Sequence, residues 1–387
     1  MKRASSILFL GMVAAMLLVC GALVAQEERP AGAAGPTDRY VVVLKDGASA
    51  NPGRTAAGMA QRYGLGVGFV YSYALEGFSA TVPGGRLEEL RADERVDYVE
   101  RDETMRAVAQ VLPWGVDRVE ADASSTKAGD GRGAVAGVNV YVVDTGIDKT
   151  HADINVVGHV NFAGGKNADC DGHGTHVAGT LAARDNGSDV VGVAPRAPLT
   201  GVKVLDCYGE GSGSTVIEGI DWVTANAQEP AIANMSLGGD VSRSVDDAVK
   251  RSAESGILYS VAAGNEGEDA CKHSPSRAGA GTVNGIVTTA ATNKKNAEMG
   301  ISNYGRCVDL WASGAGTLST RMGGGTMRMS GTSMAAPHTG GGAALYLRAH
   351  ASASPQDVER ALKAAAQEPG TTSKDGRTIL LENVGSF

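Results

Sequence analysis

Short apolar runs alternate with amphipathic segments from Gly137 to the end of the chain, and this alternation constrains the fold more than any other feature. Each run is long enough for a strand that is buried on both faces, and the segments between the runs have helical spacing. Repeated strand, helix, strand units form a parallel sheet covered by helices on both faces. The predicted strands lie at 137–144, 199–206, 231–239, 256–265 and 285–291.

The helices of this α/β domain are predicted from the apolar spacing between the strands. They lie at 214–227, 242–255 and 333–350, and a further helix follows residue 354. The first two open on Ser214 and Ser242, whose hydroxyls can accept a hydrogen bond from the first helical turn. Ligands bind at the carboxyl ends of the strands in sheets of this kind, so we expect the functional site at that edge.

A smaller unit precedes this domain at residues 37–106. Its apolar runs and helical segments follow the order βαββαβ, which is typical of a small ferredoxin-like α+β domain. Residues 104–112 have no strong periodicity and are predicted to form a linker. The chain is therefore expected to have two domains, with the larger one covering 107–387.

The amino terminus is typical of a secretory signal. Its three parts are the basic residues Lys2 and Arg3, an apolar run at 7–19 and small residues at 22–25. The apolar run is too short to span a membrane, and no second run follows it. We therefore expect residues 1–25 to be removed on secretion, 26–36 to be a spacer, and the rest of the chain to be extracellular with no membrane anchor.

Composition narrows the class of partner. The net charge is −8 and there is no long basic run, which argues against a nucleic-acid partner. Four cysteines remain once the predicted signal is removed: Cys170, Cys207, Cys271 and Cys307. An even number in an exported chain predicts two disulfides, and spacing alone leaves all three pairings open. Four unpaired buried thiols are the alternative, which an oxidising compartment disfavours.

Three residues that could cooperate in nucleophilic catalysis stand at strand ends or helix starts. Asp144 ends the run "VYVVD", His173 opens "HGTHVAGT", and Ser333 lies in "SGTSMAAPH". Each one alone is weak evidence, since an aspartate at a strand end and a serine before a helix more often cap turns and helices. Together they supply a carboxylate, a base and a nucleophile in the chain order Asp, His, Ser.

The motifs around these residues resemble those of one family. The segments "VVDTGID", "GHGTHVAGT", "ANMSLGG", "VAAGNEG" and "GTSMAAPH" occur in the family's order. The chain is similar to the subtilisin-type serine endopeptidases, specifically the proteinase K branch that includes the aqualysin-like secreted enzymes. The similarity covers residues 37–387. It implies a subtilisin-like fold and a monomeric enzyme that cleaves polypeptides without a catalytic cofactor.

The resemblance assigns a role to each catalytic candidate. It implies that Ser333 is the nucleophile, His173 the base, Asp144 the residue that orients the base, and Asn265 a donor to the oxyanion. His176 lies one helical turn after His173 and is expected to face the packed interior, and His338 is also expected to be structural. A zinc-protease interpretation of the two histidines fails because the motif H-E-x-x-H is absent.

The resemblance also implies two walls along which a substrate would lie extended. The wall and pocket residues are Gly209, Gly211, Ser212, Gly213, Ser236, Leu237, Gly238, Gly239 and Gly264. Asp240 stands where the family has a third glycine. Its carboxylate either favours basic substrate side chains or is a solvated turn residue.

The small domain is expected to be the inhibitory propeptide of the family, which also assists folding. The mature chain would begin near Ala107, after self-cleavage in the linker. The implied disulfides are Cys170–Cys207 and Cys271–Cys307. Members of this branch bind structural calcium, and Asp309 matches one ligand, with carbonyls near Gly279 as expected partners.

Two other functions fit the sequence less well. An esterase-type serine hydrolase requires G-x-S-x-G and a triad in which serine comes first, whereas "GTSMA" lacks the second glycine and Ser333 comes last. A catalytically dead secreted binding or scaffold protein of the same fold is the other alternative. That alternative requires a defect among residues that are all present in the sequence.

Overall fold

The computed structural model describes residues 39–102, 110–281 and 283–387. It divides into two compact units, Met1–Arg106 and Ala107–Phe387. The predicted signal at 1–25, the spacer at 26–36 and the predicted cleavage point near Ala107 lie outside the described residues. Within the described ranges, no helix combines the length and the apolar character needed to cross a membrane.

The first unit has the predicted βαββαβ order. Its elements are β1 (Arg39–Leu44), α1 (Pro52–Tyr63), β2 (Gly66–Tyr71), β3 (Gly77–Thr81), α2 (Leu87–Arg91) and β4 (Val96–Arg101). The strands pair antiparallel in the order β2-β3-β1-β4. The helices cover one face of this sheet, where Met59, Phe78 and Leu90 are fully buried. The ferredoxin-like prediction is confirmed.

The second unit is built around a seven-stranded sheet with the order β13-β12-β10-β8-β5-β7-β6, in which all neighbours are parallel. Its strands are β5 (Asn139–Asp144), β6 (Val156–Asn161), β7 (Leu199–Lys203), β8 (Ala231–Met235), β10 (Ile257–Ala262), β12 (Ile286–Thr292) and β13 (Leu310–Ser313). Two short antiparallel pairs join β9 (Gly239–Asp240) to β11 (His273–Ser274) and β14 (Thr317–Thr320) to β15 (Thr326–Met329).

Helices cover both faces of this sheet. They are α3 (Trp114–Arg118), α4 (His173–Ala182), α5 (Gly213–Asn226), α6 (Arg243–Glu254), α7 (Thr332–Ala349) and α8 (Pro355–Ala365). Because side chains alternate along a strand, Val140 and Val142 of β5 pack on the side of α4 and α7, whereas Tyr141 and Val143 pack on the side of α5 and α6. Each fully buried side chain of this size contributes about 1.5–3 kcal/mol to folding.

The N-cap of α5 differs from the prediction. The helix begins at Gly213, and its cap is Ser212, whose hydroxyl accepts a hydrogen bond from the Thr215 N–H at 3.2 Å. Ser214, the predicted cap, already lies in the first turn, where its backbone is helical. The N-cap of α6 is Ser242, as predicted.

Candidate active site

The structure brings the three candidate catalytic residues to one edge of the parallel sheet. Asp144 is the last residue of β5, His173 is the first residue of α4, and Ser333 lies in the first turn of α7. The His173 Nδ1 atom lies 2.8 Å from Asp144 Oδ1. His173 and Ser333 both line one cleft of about 790 Å³. The site therefore forms where carboxyl ends of strands meet amino ends of helices.

The carboxylate of Asp144 is held in one orientation. Its side chain is fully buried, and Oδ1 accepts hydrogen bonds from the Thr145 N–H at 2.7 Å and from His173. Burial lowers the pKa of His173, but the charge and hydrogen bond of Asp144, together with the charges of Asp171 and Asp169, raise the pKa above its usual value. Asp144 thereby stabilises the protonated imidazole and fixes which ring nitrogen faces the cleft.

The first turn of α7 positions Ser333. Gly331 precedes the helix with φ +146°, a backbone angle that favours glycine. The Ser333 hydroxyl donates to the Ser236 carbonyl at 3.1 Å, and the Ser236 hydroxyl donates to the Ser333 carbonyl at 2.8 Å. The nucleophile candidate is therefore fixed against the segment that follows β8.

Asn265 is oriented by the residue before Ser333. Its Oδ1 atom accepts hydrogen bonds from the Thr332 N–H at 2.9 Å and from the Thr332 hydroxyl at 3.1 Å. Because the carbonyl end of the amide is used in this way, the NH₂ end is the one available to a ligand. Asn265, Gly264 and Ser333 line a common small cavity of about 80 Å³.

The predicted substrate walls border these cavities. The lining of the main cleft includes Gly209, Gly211, Gly213, Ser236, Leu237, Gly238 and Gly239. Ser212 caps α5. Asp240 lines the same cleft, and its side chain is exposed.

Two buried polar residues organise the loops around His173, and neither was predicted. Asp169 accepts hydrogen bonds from the Gly172 N–H at 2.9 Å and from the Thr175 N–H at 3.0 Å, which fixes the start of α4. Lys203 is almost fully buried and donates to the carbonyls of Thr145 at 2.8 Å and Leu205 at 2.6 Å. A lysine inside an otherwise apolar strand was the available signal, because buried lysines require partners.

The other two histidines of these motifs lie in the interior. His176 is fully buried, and its Nε2 atom lies 3.1 Å from the Thr317 carbonyl. His338 is fully buried, and its Nδ1 atom lies 2.8 Å from the Met334 carbonyl. Burial lowers the pKa of each to about 4, so both are neutral at pH 7. These contacts match the structural roles expected for them.

Both disulfides have the pairing that the family resemblance implies. Cys170–Cys207 joins the loop before α4 to the segment after β7, and Cys271–Cys307 joins the segment after β10 to the segment before β13. The first disulfide therefore restrains the loop that carries His173.

The residues around Asp309 do not fit a calcium ion. Its Oδ1 atom lies 2.7 Å from the ammonium of Lys363, and its Oδ2 atom accepts a hydrogen bond from the Thr288 N–H at 2.9 Å. Calcium takes six to eight oxygen ligands. Here the ammonium of Lys363 lies against the carboxylate of Asp309, where the calcium ion would have to bind. In the described part of the chain, no three His, Cys, Asp or Glu side chains form a group that could hold a metal ion.

Known proteins match both units. The profile of the subtilase family matches residues 136–385, and that of peptidase inhibitor I9 matches residues 39–107. An extracellular serine proteinase from a Thermus strain is 40% identical over 406 residues, covering 94% of each chain. The alkaline serine exoprotease A of Vibrio alginolyticus is 38% identical over 365 residues, which span 88% of this chain and 66% of that protein.

A solved structure shows the same fold. It is the crystal structure of a cold adapted subtilisin-like serine proteinase, which is 37% identical with a TM-score of 0.62 and covers 71% of this chain and 98% of its own. The subtilase match spans more than half of the chain and contains Asp144, His173, Asn265 and Ser333. The chain therefore belongs to the subtilase family and is a subtilisin-like serine endopeptidase, preceded by a peptidase inhibitor I9 domain.

Proposed function

We propose that this chain is a secreted endopeptidase that hydrolyses proteins through an acyl-enzyme formed on Ser333. The observation that carries the proposal is the 2.8 Å contact between His173 and the buried Asp144 in the cleft that also contains Ser333. A histidine that is held by a buried carboxylate in the same cleft as a hydroxyl is what a general base requires.

His173 carries the proton in both steps of the proposed reaction. Ser333 Oγ attacks the scissile carbonyl carbon, and His173 Nε2 takes the hydroxyl proton and returns it to the leaving amine. A water molecule then attacks the acyl-enzyme, and the same imidazole passes the proton of that water to Ser333. Before the attack, the hydroxyl would exchange its hydrogen bond to Ser236 for one to His173.

The oxygen anion of the tetrahedral intermediate needs hydrogen-bond donors. We assign this role to the NH₂ group of Asn265 and the backbone N–H of Ser333, which border the same small cavity. Apart from the substrate and one water molecule, every group in this proposed reaction belongs to the polypeptide, so the reaction needs no catalytic cofactor.

We further propose that the substrate lies extended between residues 209–213 and 236–239. Backbone groups on both sides would pair with the peptide, as when a strand is added to a sheet. The glycines of these walls allow close backbone approach.

The precursor is proposed to process itself. The I9 domain would assist folding and inhibit the enzyme, and Ser333 would cut the linker near Ala107, after a signal at 1–25 directs secretion. The mature enzyme is proposed to be an extracellular monomer. A structural calcium ion, which the family resemblance implies, remains a prediction for the chain as a whole.

Replacement of the nucleophile tests the proposal. The pure Ser333→Ala precursor is expected to fold and stay uncleaved, whereas the parent matures without help. The mass of each protein shows whether the linker has been cut, and a denatured protein added as substrate shows whether the enzyme is active. A Ser333→Ala precursor that matures unaided contradicts self-processing. A parent that folds but cleaves no peptide supports the scaffold alternative.

A further inference from the structure

Lys363 is partly buried and joins two carboxylates. The ammonium of Lys363, on α8, lies 2.7 Å from Asp309 Oδ1 and 2.6 Å from Glu359 Oε1. The Glu359 side chain is fully buried and that of Asp309 is 7% exposed, whereas the lysine is 27% exposed. Two carboxylates removed from water require a cation between them, since an unpaired buried charge is strongly destabilising.

The same cluster fixes the adjacent loop to α8. The Glu359 Oε2 atom accepts hydrogen bonds from the Asn284 N–H at 2.9 Å and from the Gly285 N–H at 2.8 Å. The side-chain amide of Asn284 donates to the Ala278 carbonyl at 3.0 Å. Ala278, Asn284 and Gly285 are thus held in place by side chains of the chain itself.

These contacts use the oxygen atoms that a metal ion would need. The family resemblance places calcium on Asp309 and on carbonyls near Gly279, and the loop does lie close, since a Cβ atom on Gly279 would stand 3.3 Å from Asp309 Oδ2. Both oxygens of Asp309 and the carbonyl of Ala278 already have partners. We propose that the ammonium of Lys363 takes the place of a metal ion at Asp309 and, through Glu359, holds Asn284 and Gly285 against α8.

If Lys363 takes the place of a metal ion at Asp309, the effect of calcium on thermal stability does not depend on the Asp309 carboxylate. All proteins are made as the full chain with Ser333→Ala, which removes self-digestion, and thermal-unfolding midpoints are measured in excess calcium chloride and in excess chelator. The difference between the two midpoints is expected to be the same with and without Asp309→Asn, because any bound calcium lies elsewhere. A calcium effect that shrinks in Asp309→Asn overturns the proposal.

A second comparison tests the lysine itself in chelator. Lys363→Met leaves two buried carboxylates without their cation and is expected to lower the midpoint by about 5 °C or more. Arg360→Met is the matched control on the same helix, because it loses only an exposed pair with Asp357, and its midpoint is expected to fall by less than about 2 °C. Equal shifts in the two variants contradict the proposal.

A double variant keeps the test decisive if Lys363→Met fails to fold. Lys363→Met combined with Asp309→Asn removes one positive and one negative charge with little change of shape. Its midpoint is expected to be higher than that of Lys363→Met alone, because the two sites interact directly. A double variant whose loss is the sum of the two single losses contradicts a direct role of the ammonium at Asp309.

Discussion

Asp144→Asn tests the charge that we assign to the catalytic base. During attack by Ser333, His173 becomes positive while its Nδ1 atom lies 2.8 Å from Asp144 Oδ1. For charge centres about 4 Å apart at an effective dielectric constant of about 20, the attraction is about 4 kcal/mol. Asparagine keeps the shape of the side chain but removes this attraction. We therefore expect kcat to fall about 10³-fold, with little change in KM.

The same substitution has a consequence for the pH profile. The carboxylate of Asp144 raises the pKa of His173, and the base must be neutral to accept the proton of Ser333. Removing the carboxylate lowers that pKa, so the acidic limb of kcat/KM is expected to move to lower pH. Both effects are measured with one soluble peptide between pH 5 and 10.

The assay needs mature enzyme that does not depend on self-cleavage, and a control variant that loses a different carboxylate. A cleavage sequence for an unrelated protease, placed at 103–109, separates the peptidase domain from the I9 domain in the parent and in the variants alike. Asp171→Asn is the control, because its carboxylate accepts a hydrogen bond from the backbone N–H of His173 at 3.0 Å but does not bond to the ring. We expect this control to lose less than about tenfold in kcat. A loss below tenfold in Asp144→Asn, or an unmoved acidic limb, refutes the assigned role.

Three further predictions concern other parts of the enzyme. Asn265→Ala is expected to lower kcat about 10²–10³-fold at similar KM in steady-state assays, a scale taken from the same donor in subtilisin. Replacing Cys170 and Cys207 by serine opens a cross-link with a sequence separation of 37 and is expected to cost about 4 kcal/mol in the free energy of unfolding, measured in denaturant. Burial raises the pKa of Glu382 from 4.5 to about 8, so this residue contributes a loss of stability as pH rises through this window, and Glu382→Gln lacks that contribution. The midpoint of Glu382→Gln, relative to the parent, should therefore rise between pH 5 and 8 and then stay level.

The architecture could be predicted because both domains have strong patterns. The five predicted strands are the five interior strands of the large sheet, β12, β10, β8, β5 and β7, where apolar runs are buried on both faces. The two edge strands were not predicted. β6 is only half-buried and contains Gly158 and His159, and β13 has four residues, so neither has a clear period.

The catalytic candidates could be predicted because each lies in a motif at the end of an element. Their supports depend on contacts between distant segments, which no local pattern encodes. Asp169 lies only four residues before His173 in the sequence, but its role depends on how the loop folds back on its carboxylate. Lys363 resembles any lysine on an amphipathic helix, and only the fold places it beside Asp309. The expectation of calcium at Asp309 could not include that contact.

The most direct test of the central claim is covalent titration of the mature parent with a serine-directed phosphonate, followed by peptide mass mapping. The account predicts one adduct per molecule, located on Ser333, together with complete loss of proteolysis. It also predicts that Ser333→Ala takes up none. An active enzyme without an adduct, or an adduct on another serine, contradicts the assignment of Ser333 as the nucleophile.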